Sequence, residues 1–497
     1  MQGQPNILWV CTDQQRGDTI EAWGNSHIRT PVLNRLVEGG VSFKRAYCQS
    51  PICTPSRGSF LTGQYPASTL IHRNGQGGFA KDITLVTKQL SDEGYTCGLI
   101  GKLHLTASEL GMEERTDDGY SYMQWSHHPY PQAPEYNDYV TWLREKGIDP
   151  AEIFPVTQKA YGAGVPEEYH QTHWCALKAM EFIEEHKGDP WLLSMNMFDP
   201  HPPMDPPESF LNRYDPELIP YPIFSESDIE HQKLFSKLDQ QSTTATDPRK
   251  FHESLVEESI TDLPSELAAC LPPDDIDSRK MIAAYYAQIE FIDHELGRVI
   301  DYLEKVGELE NTVIIFHSDH GELLGDHGLY FKGARFFESL VRIPLIVSYP
   351  KKLASNVSAE ALVELVDIVP TILDICGMEI DDEIQGESLL PILTGEKAPY
   401  SHKEIVLCEF NDCLGPKTVS NAHQRTHGLM CFDGRYKICV YDTGEIGELY
   451  DLKNDPHEFI DLWKSEEHMQ IKYKMLEKLL FKYMATSSKG STRIAEY

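Results

Sequence analysis

Short apolar runs alternate with amphipathic stretches along the first 350 residues of the chain. The run Asn6–Cys11 is apolar at nearly every position, which indicates a strand buried on both faces of a sheet. Ser278–Val306 repeats apolar residues at helical spacing, which predicts a long amphipathic helix. The same patterns predict strands at Thr96–Ile100, Trp191–Met197, Thr312–Phe316 and Pro344–Ser348, and helices at Pro31–Gly39 and Leu85–Glu93. This alternation predicts an α/β fold with a large, mixed, mostly parallel sheet sandwiched by helices.

The alternation is interrupted twice and ends before the last hundred residues. Residues 106–170 and 200–277 are rich in Pro, Tyr and acidic residues, and we interpret both as long insertions that wall a substrate pocket, with decoration as the alternative. We place the boundary between a catalytic domain, 1–397, and a smaller C-terminal domain, 398–497. The pattern there predicts short strands and a helix: strands Glu404–Glu409, Tyr436–Tyr441 and Glu448–Leu452, then helix Ser465–Met484 capped by Ser465.

The charge of the chain restricts its partners. Acidic residues number 77 against 44 basic ones, so the formal net charge is −33. A surface of this kind repels nucleic acid and anionic lipid, and we expect neither nucleic acid nor a membrane as a partner. An anionic substrate would have to meet a local cluster of Lys, Arg and His side chains.

Cysteine use and the first residues bear on the compartment. The eleven cysteines are odd in number and irregular in spacing, which predicts reduced, mostly buried thiols. The chain enters its first strand after five residues, without a signal peptide, and it has no apolar run long enough to span a bilayer. We therefore favour a cytoplasmic location, with a periplasmic or secreted one left open if a signal was removed.

The most informative segment is Cys53–Arg57, which reads Cys-Thr-Pro-Ser-Arg and is followed by Leu-Thr-Gly at 61–63. Pro55 suits the first turn of a helix, Thr54 can cap it, and Gly63 can end it, so we predict a short helix over Ser56–Thr62. Residue 53 would then stand just before the helix N-terminus, where backbone N–H groups favour an anion. Arg57 would point its planar donor group at the same place.

This motif resembles the signature of type I sulfatases, a family with an alkaline phosphatase-like fold. The resemblance implies that the strands of the smaller C-terminal domain form an antiparallel sheet. The resemblance implies that Cys53 is oxidised to formylglycine by a maturation enzyme. The hydrated aldehyde is a geminal diol, and one of its hydroxyls attacks the sulfur of the substrate.

The resemblance also implies a site for one divalent cation. Its ligands would be Asp13, Gln14, Asp319, His320 and the modified residue 53. The pair Asp13 and Gln14 and the pair Asp319 and His320 each follow a predicted strand. Calcium is the usual ion of the family. The family often has Asp-Asp and Asp-Asn where this chain has Asp-Gln and Asp-His. Because calcium prefers oxygen to imidazole, manganese, magnesium and zinc stay open.

Further catalytic residues follow from the same resemblance. Gly-Lys-Leu-His at 101–104 matches a family motif in which Lys102 binds the sulfate group and His104 is a general base. His201, after the strand Trp191–Met197, would be the general acid. Lys332 would be the second sulfate-binding lysine. We also expect three residues after the nucleophile helix to line the pocket, namely His72, Arg73 and Asn74.

We therefore expect a sulfatase that hydrolyses a sulfate monoester on a sulfated small molecule or oligosaccharide. Asp-Gln and Asp-His pairs also resemble phosphonate monoester and phosphodiester hydrolases, which share this machinery and stay open as an alternative. A third hypothesis is a protein with an unmodified Cys53 that only binds anionic glycans.

Overall fold

The computed structural model describes residues 4–76, 83–108, 113–128, 136–154, 160–235, 245–250, 276–350, 352–412, 426–442 and 446–487. Fifteen strands lie in these ranges: β1 Asn6–Thr12, β2 Val41–Phe43, β3 Ala46–Tyr47, β4 Thr96–Gly101, β5 Tyr120–Trp125, β6 Trp191–Asn196, β7 Thr312–Ser318, β8 Arg342–Ile343, β9 Leu345–Ser348, β10 Val357–Ala359, β11 Val363–Glu364, β12 Val406–Asp412, β13 Thr426–Phe432, β14 Tyr436–Tyr441 and β15 Gly447–Asp451.

The central sheet has eight strands in the order β10-β2-β9-β7-β1-β6-β4-β5. Strand β1 pairs in parallel with β6 and β7, and β4 pairs in parallel with β5 and β6. Only β9 runs antiparallel to its neighbours β2 and β7. The predicted large, mixed and mostly parallel sheet is confirmed. A small second sheet has the order β11-β3-β8.

The alternation of side chains along β1 separates two hydrophobic cores. Ile7, Trp9 and Cys11 pack into one core, and Leu8 and Val10 pack into the other. Side chains on a strand point to opposite faces in turn, so an apolar residue at every position requires cover on both faces. Helices supply that cover.

The α-helices that the structure describes vary from one turn to eight. Their bounds are Pro31–Gly39, Cys53–Thr62, Pro66–Thr69, Val86–Asp92, Asp138–Glu145, Pro150–Ile153, Gln171–His186, Glu208–Leu211, Glu226–Lys233, Ser278–Val306, Glu338–Val341, Ile368–Ile375, Leu390–Leu393 and Met469–Thr486. The longest begins where the Asp277 carboxylate accepts a hydrogen bond from the Lys280 N–H (3.2 Å). It ends at Gly307, whose φ of 81° suits glycine.

Parts of the two predicted insertions have regular structure. Within 106–170, strand β5 joins the central sheet as its edge strand, and the helix Asp138–Glu145 packs beside it. That segment is therefore partly sheet, which the irregular composition concealed. Within 200–277, the helix Glu226–Lys233 is present, and residues 236–244 and 251–275 lie outside the described ranges.

The C-terminal region contains an antiparallel sheet in the order β12-β13-β14-β15, as predicted, and the helix Met469–Thr486. Strand β13 was not predicted. The final helix begins four residues later than expected, with His468 at its N-cap, and the Ser465 hydroxyl hydrogen-bonds the His468 Nδ1 instead of the helix backbone (2.9 Å). A buried Arg335–Glu448 ion pair (2.7 Å) ties this sheet to the segment between β7 and β8.

Two further expectations concern the cysteines and the membrane. Each of the nine cysteines in the described ranges is free and buried, as predicted. Cys270 and Cys413 lie outside those ranges. No helix in the described part of the chain combines the length and apolar character needed to cross a membrane.

Candidate active site

Cys53 is the first residue of a ten-residue helix and is buried. The prediction placed it just before the helix, with Thr54 as the cap. Instead Ile52 occupies the N-cap without a side-chain hydrogen bond, and the Asn74 Oδ1 accepts a hydrogen bond from the Thr54 N–H (2.9 Å). A neighbouring loop therefore satisfies one of the free N–H groups at this helix end.

The strand register brings two carboxylates to this helix. Strands β1 and β7 pair in parallel with Thr12 opposite Ser318, so Asp13 and Asp319 leave the sheet side by side. Both are fully buried, as is Arg57. The Arg57 Nε donates to Asp319 Oδ2 (2.9 Å), and one NH2 donates to Asp13 Oδ2 (3.0 Å).

Arg57 makes its hydrogen bonds to groups of the protein. Its third hydrogen bond goes to the Lys102 carbonyl (3.1 Å), so its planar group bridges two carboxylates and a loop. Contact of Arg57 with a bound anion stays a prediction. Burial lowers the pKa of Arg57, and the nearby Asp319, Asp13 and thiols more than offset this, so its pKa is raised and it stays charged. The guanidinium therefore holds Asp13 and Asp319 in register.

Gln14 is held beside Asp319 by its backbone and has one end of its side-chain amide bound. Its backbone lies in the left-handed region (φ 70°), its N–H donates to Asp319 Oδ1 (2.9 Å), and its carbonyl accepts from the Tyr285 hydroxyl (2.7 Å). The side-chain Nε2 donates to the buried Glu322 carboxylate. The Oε1 is buried and has no hydrogen-bond partner among the residues that the structure describes.

These residues fit a bound cation. One ligand atom each from Asp13, Cys53, Asp319 and His320 lies within 4.8 Å of the others, and all four residues are buried. The unpartnered Gln14 Oε1 adds an oxygen donor, because a buried carbonyl without a hydrogen bond is costly unless something else binds it. Two carboxylates, an amide oxygen, an imidazole and the residue 53 atom form a mixed oxygen and nitrogen set.

The thiol of Cys53 stands where an oxygen of formylglycine would stand in the modified residue. Lys332 Nζ donates to its Sγ (2.8 Å), and the His320 Nε2 lies 3.2 Å away. Burial and Asp13 raise the pKa of the Cys53 thiol, but Lys102, Lys332 and His320 outweigh them, and the pKa is lowered overall. The surroundings thus favour negative charge at this position.

The two predicted lysines occupy different places. Lys332 contacts residue 53 directly, whereas the Lys102 Nζ donates to Asp13 Oδ2 (2.6 Å). Lys102 is 1% exposed and lies over the Phe198 ring, with its Nζ 5.4 Å from the ring centre. Both ammonium groups therefore add positive charge near the thiol from within the protein.

Of the two predicted histidines, His104 is buried and His201 is half-buried, and both are neutral in the protein without substrate. Burial, Lys102 and His127 lower the pKa of His104 well below its usual value, and its Nδ1 has no hydrogen-bond partner. Burial and Lys332 likewise lower the pKa of His201, whose Nδ1 hydrogen-bonds the Pro202 carbonyl (2.8 Å). A neutral imidazole suits a general base, as expected of His104.

The predicted pocket residues after the nucleophile helix are partly placed. Asn74 contacts the backbone of that helix, as described above. The His72 N–H donates to the Gln76 Oε1 (2.9 Å), and His72 and Arg73 are half-buried in the same turn. Contact with a substrate stays a prediction for all three.

The sequence interpretation missed several side chains of the site. Glu322 orients Gln14, and Glu113 binds the loop that carries His104. The His127 ring packs edge-on against His104, with ring centres 4.4 Å apart. Glu322 follows the Asp319-His320 pair by two residues, a signal that could have found it. His127 follows β5, and because the sequence did not predict that strand, nothing marked its carboxyl end as part of the site.

Comparison with known proteins identifies the family to which this site belongs. The family model described as Sulfatase matches residues 5–378, and the model described as N-sulphoglucosamine sulphohydrolase, C-terminal, matches residues 325–484. This chain belongs to the sulfatase family. The recognition made from the motifs is confirmed, and so are the alkaline phosphatase-like fold class and the enzyme class, a sulfuric ester hydrolase.

Individual sulfatase relatives match over nearly the whole chain. An arylsulfatase of Clostridium perfringens is 26% identical over 508 residues, covering 98% of this chain and 96% of the relative. An N-acetylglucosamine-6-O-sulfatase of Bacteroides thetaiotaomicron is 27% identical, covering 96% and 86%. The crystal structure of a phosphonate monoester hydrolase of Agrobacterium radiobacter superposes with a TM-score of 0.80 at 24% identity, covering 99% and 98%, which shows a shared fold.

Proposed function

We propose that this sulfatase hydrolyses a sulfate monoester on a carbohydrate, with formylglycine at residue 53 as the nucleophile. One observation carries the proposal: the residue 53 side chain is in contact with Lys332 and His320 and close to Asp13, at a group of ligands that fits a divalent cation. The carbohydrate class is supported by the N-acetylglucosamine-6-O-sulfatase among the relatives.

The modification is a two-electron oxidation at Cβ of Cys53, with the oxidant supplied by a maturation enzyme. The Cβ–S bond and one Cβ–H bond break, a carbonyl C=O bond forms, and the sulfur leaves as hydrogen sulfide. Addition of water gives the diol. A bound divalent cation, for which calcium is the first candidate, would supply positive charge at the oxygens of residue 53 and of the sulfate group. Asp13, Gln14, Asp319 and His320 would hold it.

In the first step, an ionised hydroxyl of residue 53 attacks sulfur, and the bond from sulfur to the substrate oxygen breaks. His201 gives its proton to the departing alcohol. Burial and Lys332 lower the pKa of this histidine in the free protein. The negative charge of a bound sulfate group would raise that pKa, so substrate binding itself would supply the protonated acid.

In the second step, residue 53 carries a sulfate ester and one hydroxyl. His104 removes the proton of that hydroxyl, the bond to sulfate breaks, sulfate leaves and the aldehyde returns. The low pKa of His104 keeps it free of a proton and ready for this step. Lys102 and Lys332 would balance the charge of the sulfate group throughout.

The test is release of inorganic sulfate from a panel of sulfated mono- and oligosaccharides, combined with mass spectrometry of the peptide that contains residue 53. We expect the aldehyde in the active protein and no sulfate release from Cys53→Ala. Full activity of Cys53→Ala would contradict the mechanism. An unmodified thiol in protein from the native host, with glycan binding but no turnover, would favour the binding protein instead.

A phosphonate monoester or phosphodiester hydrolase is a second candidate. Gln14 and His320 differ from the usual family residues. The Gln14 N–H binds Asp319 (2.9 Å), and the His320 Nε2 lies 3.2 Å from the Cys53 Sγ, so the difference concerns the proposed cation ligands. Measuring kcat/KM for an aryl sulfate, a phosphonate monoester and a phosphodiester in parallel decides between them. A large preference for either phosphorus ester would reject the sulfatase proposal.

A further inference from the structure

Glu113 holds a carboxylate against four N–H groups beside the active site. Its Oε1 accepts from the backbone N–H of His104 (2.6 Å) and from the Trp125 Nε1 (3.2 Å). Its Oε2 accepts from the backbone N–H groups of Leu105 (2.6 Å) and Thr106 (3.2 Å). The residue is 2% exposed.

Three consecutive backbone N–H groups that converge on one carboxylate form a nest for an anion. The loop needs such an anchor because the His104 backbone has a φ of 56°, in the left-handed region that side-chain-bearing residues rarely adopt. Conformations of this kind persist only when the surroundings hold them in place. Glu113 supplies four hydrogen bonds for that purpose, and burial, the largest influence on its pKa, raises that pKa despite them.

The same carboxylate is connected to the His104 ring through two aromatic side chains. Trp125, which donates to Glu113, stacks on His127 with ring centres 6.5 Å apart and an interplanar angle of 29°. His127 in turn packs edge-on against His104 at 4.4 Å. Glu113 is thus hydrogen-bonded both to the His104 backbone and to Trp125, which supports the His127 ring packed against His104.

We propose that Glu113 is a positioning residue that fixes the His104 imidazole at residue 53 by anchoring both the 104–106 loop and Trp125. The inference rests on the proposed function, in which His104 is the base that releases sulfate from residue 53. It assigns a purpose to part of the 106–170 segment: Glu113 and Trp125 support the catalytic base.

The direct test is Glu113→Gln, which keeps the size of the side chain and replaces one acceptor oxygen with an NH2 group facing N–H donors. A misplaced catalytic group costs on the order of 100-fold. We therefore expect kcat to fall about 10-fold to 100-fold, with KM falling in proportion and kcat/KM nearly unchanged, because the first step is left as it was. Because only the second step should slow, residue 53 should accumulate the sulfate ester, seen as one added SO3 group on its peptide.

Three companion variants make the result specific. Glu114→Gln changes the neighbouring, exposed carboxylate and should behave as wild type. Glu113→Asp keeps the charge and should restore part of kcat. Trp125→Phe removes one of the four hydrogen bonds and keeps a ring against His127, so it should show a smaller fall in kcat in the same direction, and it serves as the test if Glu113→Gln does not fold.

Comparison with His104→Gln separates the two proposals. If His104→Gln keeps full turnover, the role of His104 in the proposed function fails. If His104→Gln accumulates the sulfate ester and a folded Glu113→Gln or Trp125→Phe keeps the kcat of wild type, the positioning role of Glu113 is overturned. A fall in kcat without any ester accumulation would also overturn it. That result would mean that the substitution disturbs the site in general and not the second step in particular.

Discussion

The bridge made by Arg57 gives a prediction whose size follows from the structure. Its side chain makes three hydrogen bonds, two to the Asp319 and Asp13 carboxylates and one to the Lys102 carbonyl. In Arg57→Lys, a single ammonium group keeps the charge but reaches one partner at a time. Two of the three bonds are lost, at about 1.5–3 kcal/mol each for hydrogen bonds to charged groups.

The expected loss is therefore about 3–6 kcal/mol, and a bound cation beside the two carboxylates would bring it toward the lower end. If 3 kcal/mol is expressed in catalysis, kcat/KM falls roughly 100-fold. If it is expressed in stability, the unfolding entropy of a chain of 497 residues converts it to a fall in Tm of about 3 °C.

The assays are kcat/KM for sulfate release and Tm by differential scanning calorimetry. The control is Arg335→Lys, since Arg335 is equally buried, packs over Phe235 and pairs with Glu448 on strand β15. We expect Arg335→Lys to lower Tm by a similar amount and to leave kcat/KM of the folded protein unchanged. Wild-type kcat/KM in Arg57→Lys would refute the argument that the bridge sets the register of Asp13 and Asp319.

Three further predictions concern charge, backbone and metal. Burial raises the pKa of Glu409 from 4.5 to about 8, so its contribution to stability is complete below about pH 4.5 and is lost as the pH rises through 8. Glu409→Gln should therefore raise Tm at pH 9 by up to about 5 °C relative to wild type. The control Glu404→Gln changes an exposed carboxylate and should leave Tm unchanged. The same Tm for wild type and Glu409→Gln at every pH from 5 to 9 would contradict this. A Cβ on Gly101 (φ 93°) would lie 2.0 Å from the Asn196 carbonyl oxygen, whereas a Cβ on Gly307 would meet no atom within 4 Å. Gly101→Ala should therefore lower Tm far more than Gly307→Ala, which should cost only about 1–2 kcal/mol for its left-handed backbone. A similar fall in Tm for both variants would show that the backbone shifts to remove the Gly101 clash. Chelation of divalent cations should lower Tm and abolish sulfate release, and adding back single metals should identify the ion; undiminished turnover after exhaustive chelation would remove the cation from the mechanism.

The local features of the chain were predicted well from the sequence. The strand at Asn6–Thr12 and the helix at Ser278–Val306 agree with their patterns, because continuous or periodic burial leaves a direct mark on residue choice. Strand β5 was missed because its pattern is mixed: only Tyr120 and Trp125, at its ends, are buried, and its middle residues are half-buried or exposed.

The residue types of the site were likewise predicted, together with the sheet edge at which they meet. Asp13 and Asp319 were expected together because both follow buried strands, and parallel strands end at one edge. Cys53 was identified by its motif alone.

The contacts within the site were decided by tertiary structure. Arg57 lies four residues from Cys53 on the same helix, yet its donors bind Asp13 and Asp319, which follow strands β1 and β7. Those buried carboxylates require a partner of opposite charge. Glu322, more than 300 residues along the chain, binds the Nε2 of the Gln14 amide and so decides that the Oε1 is the end left for a proposed cation. The sequence thus determined which groups are available for chemistry. Only the fold decided which of them bind each other and which remain for a cation and a substrate, because each buried charge or amide takes the partner that packing brings to it.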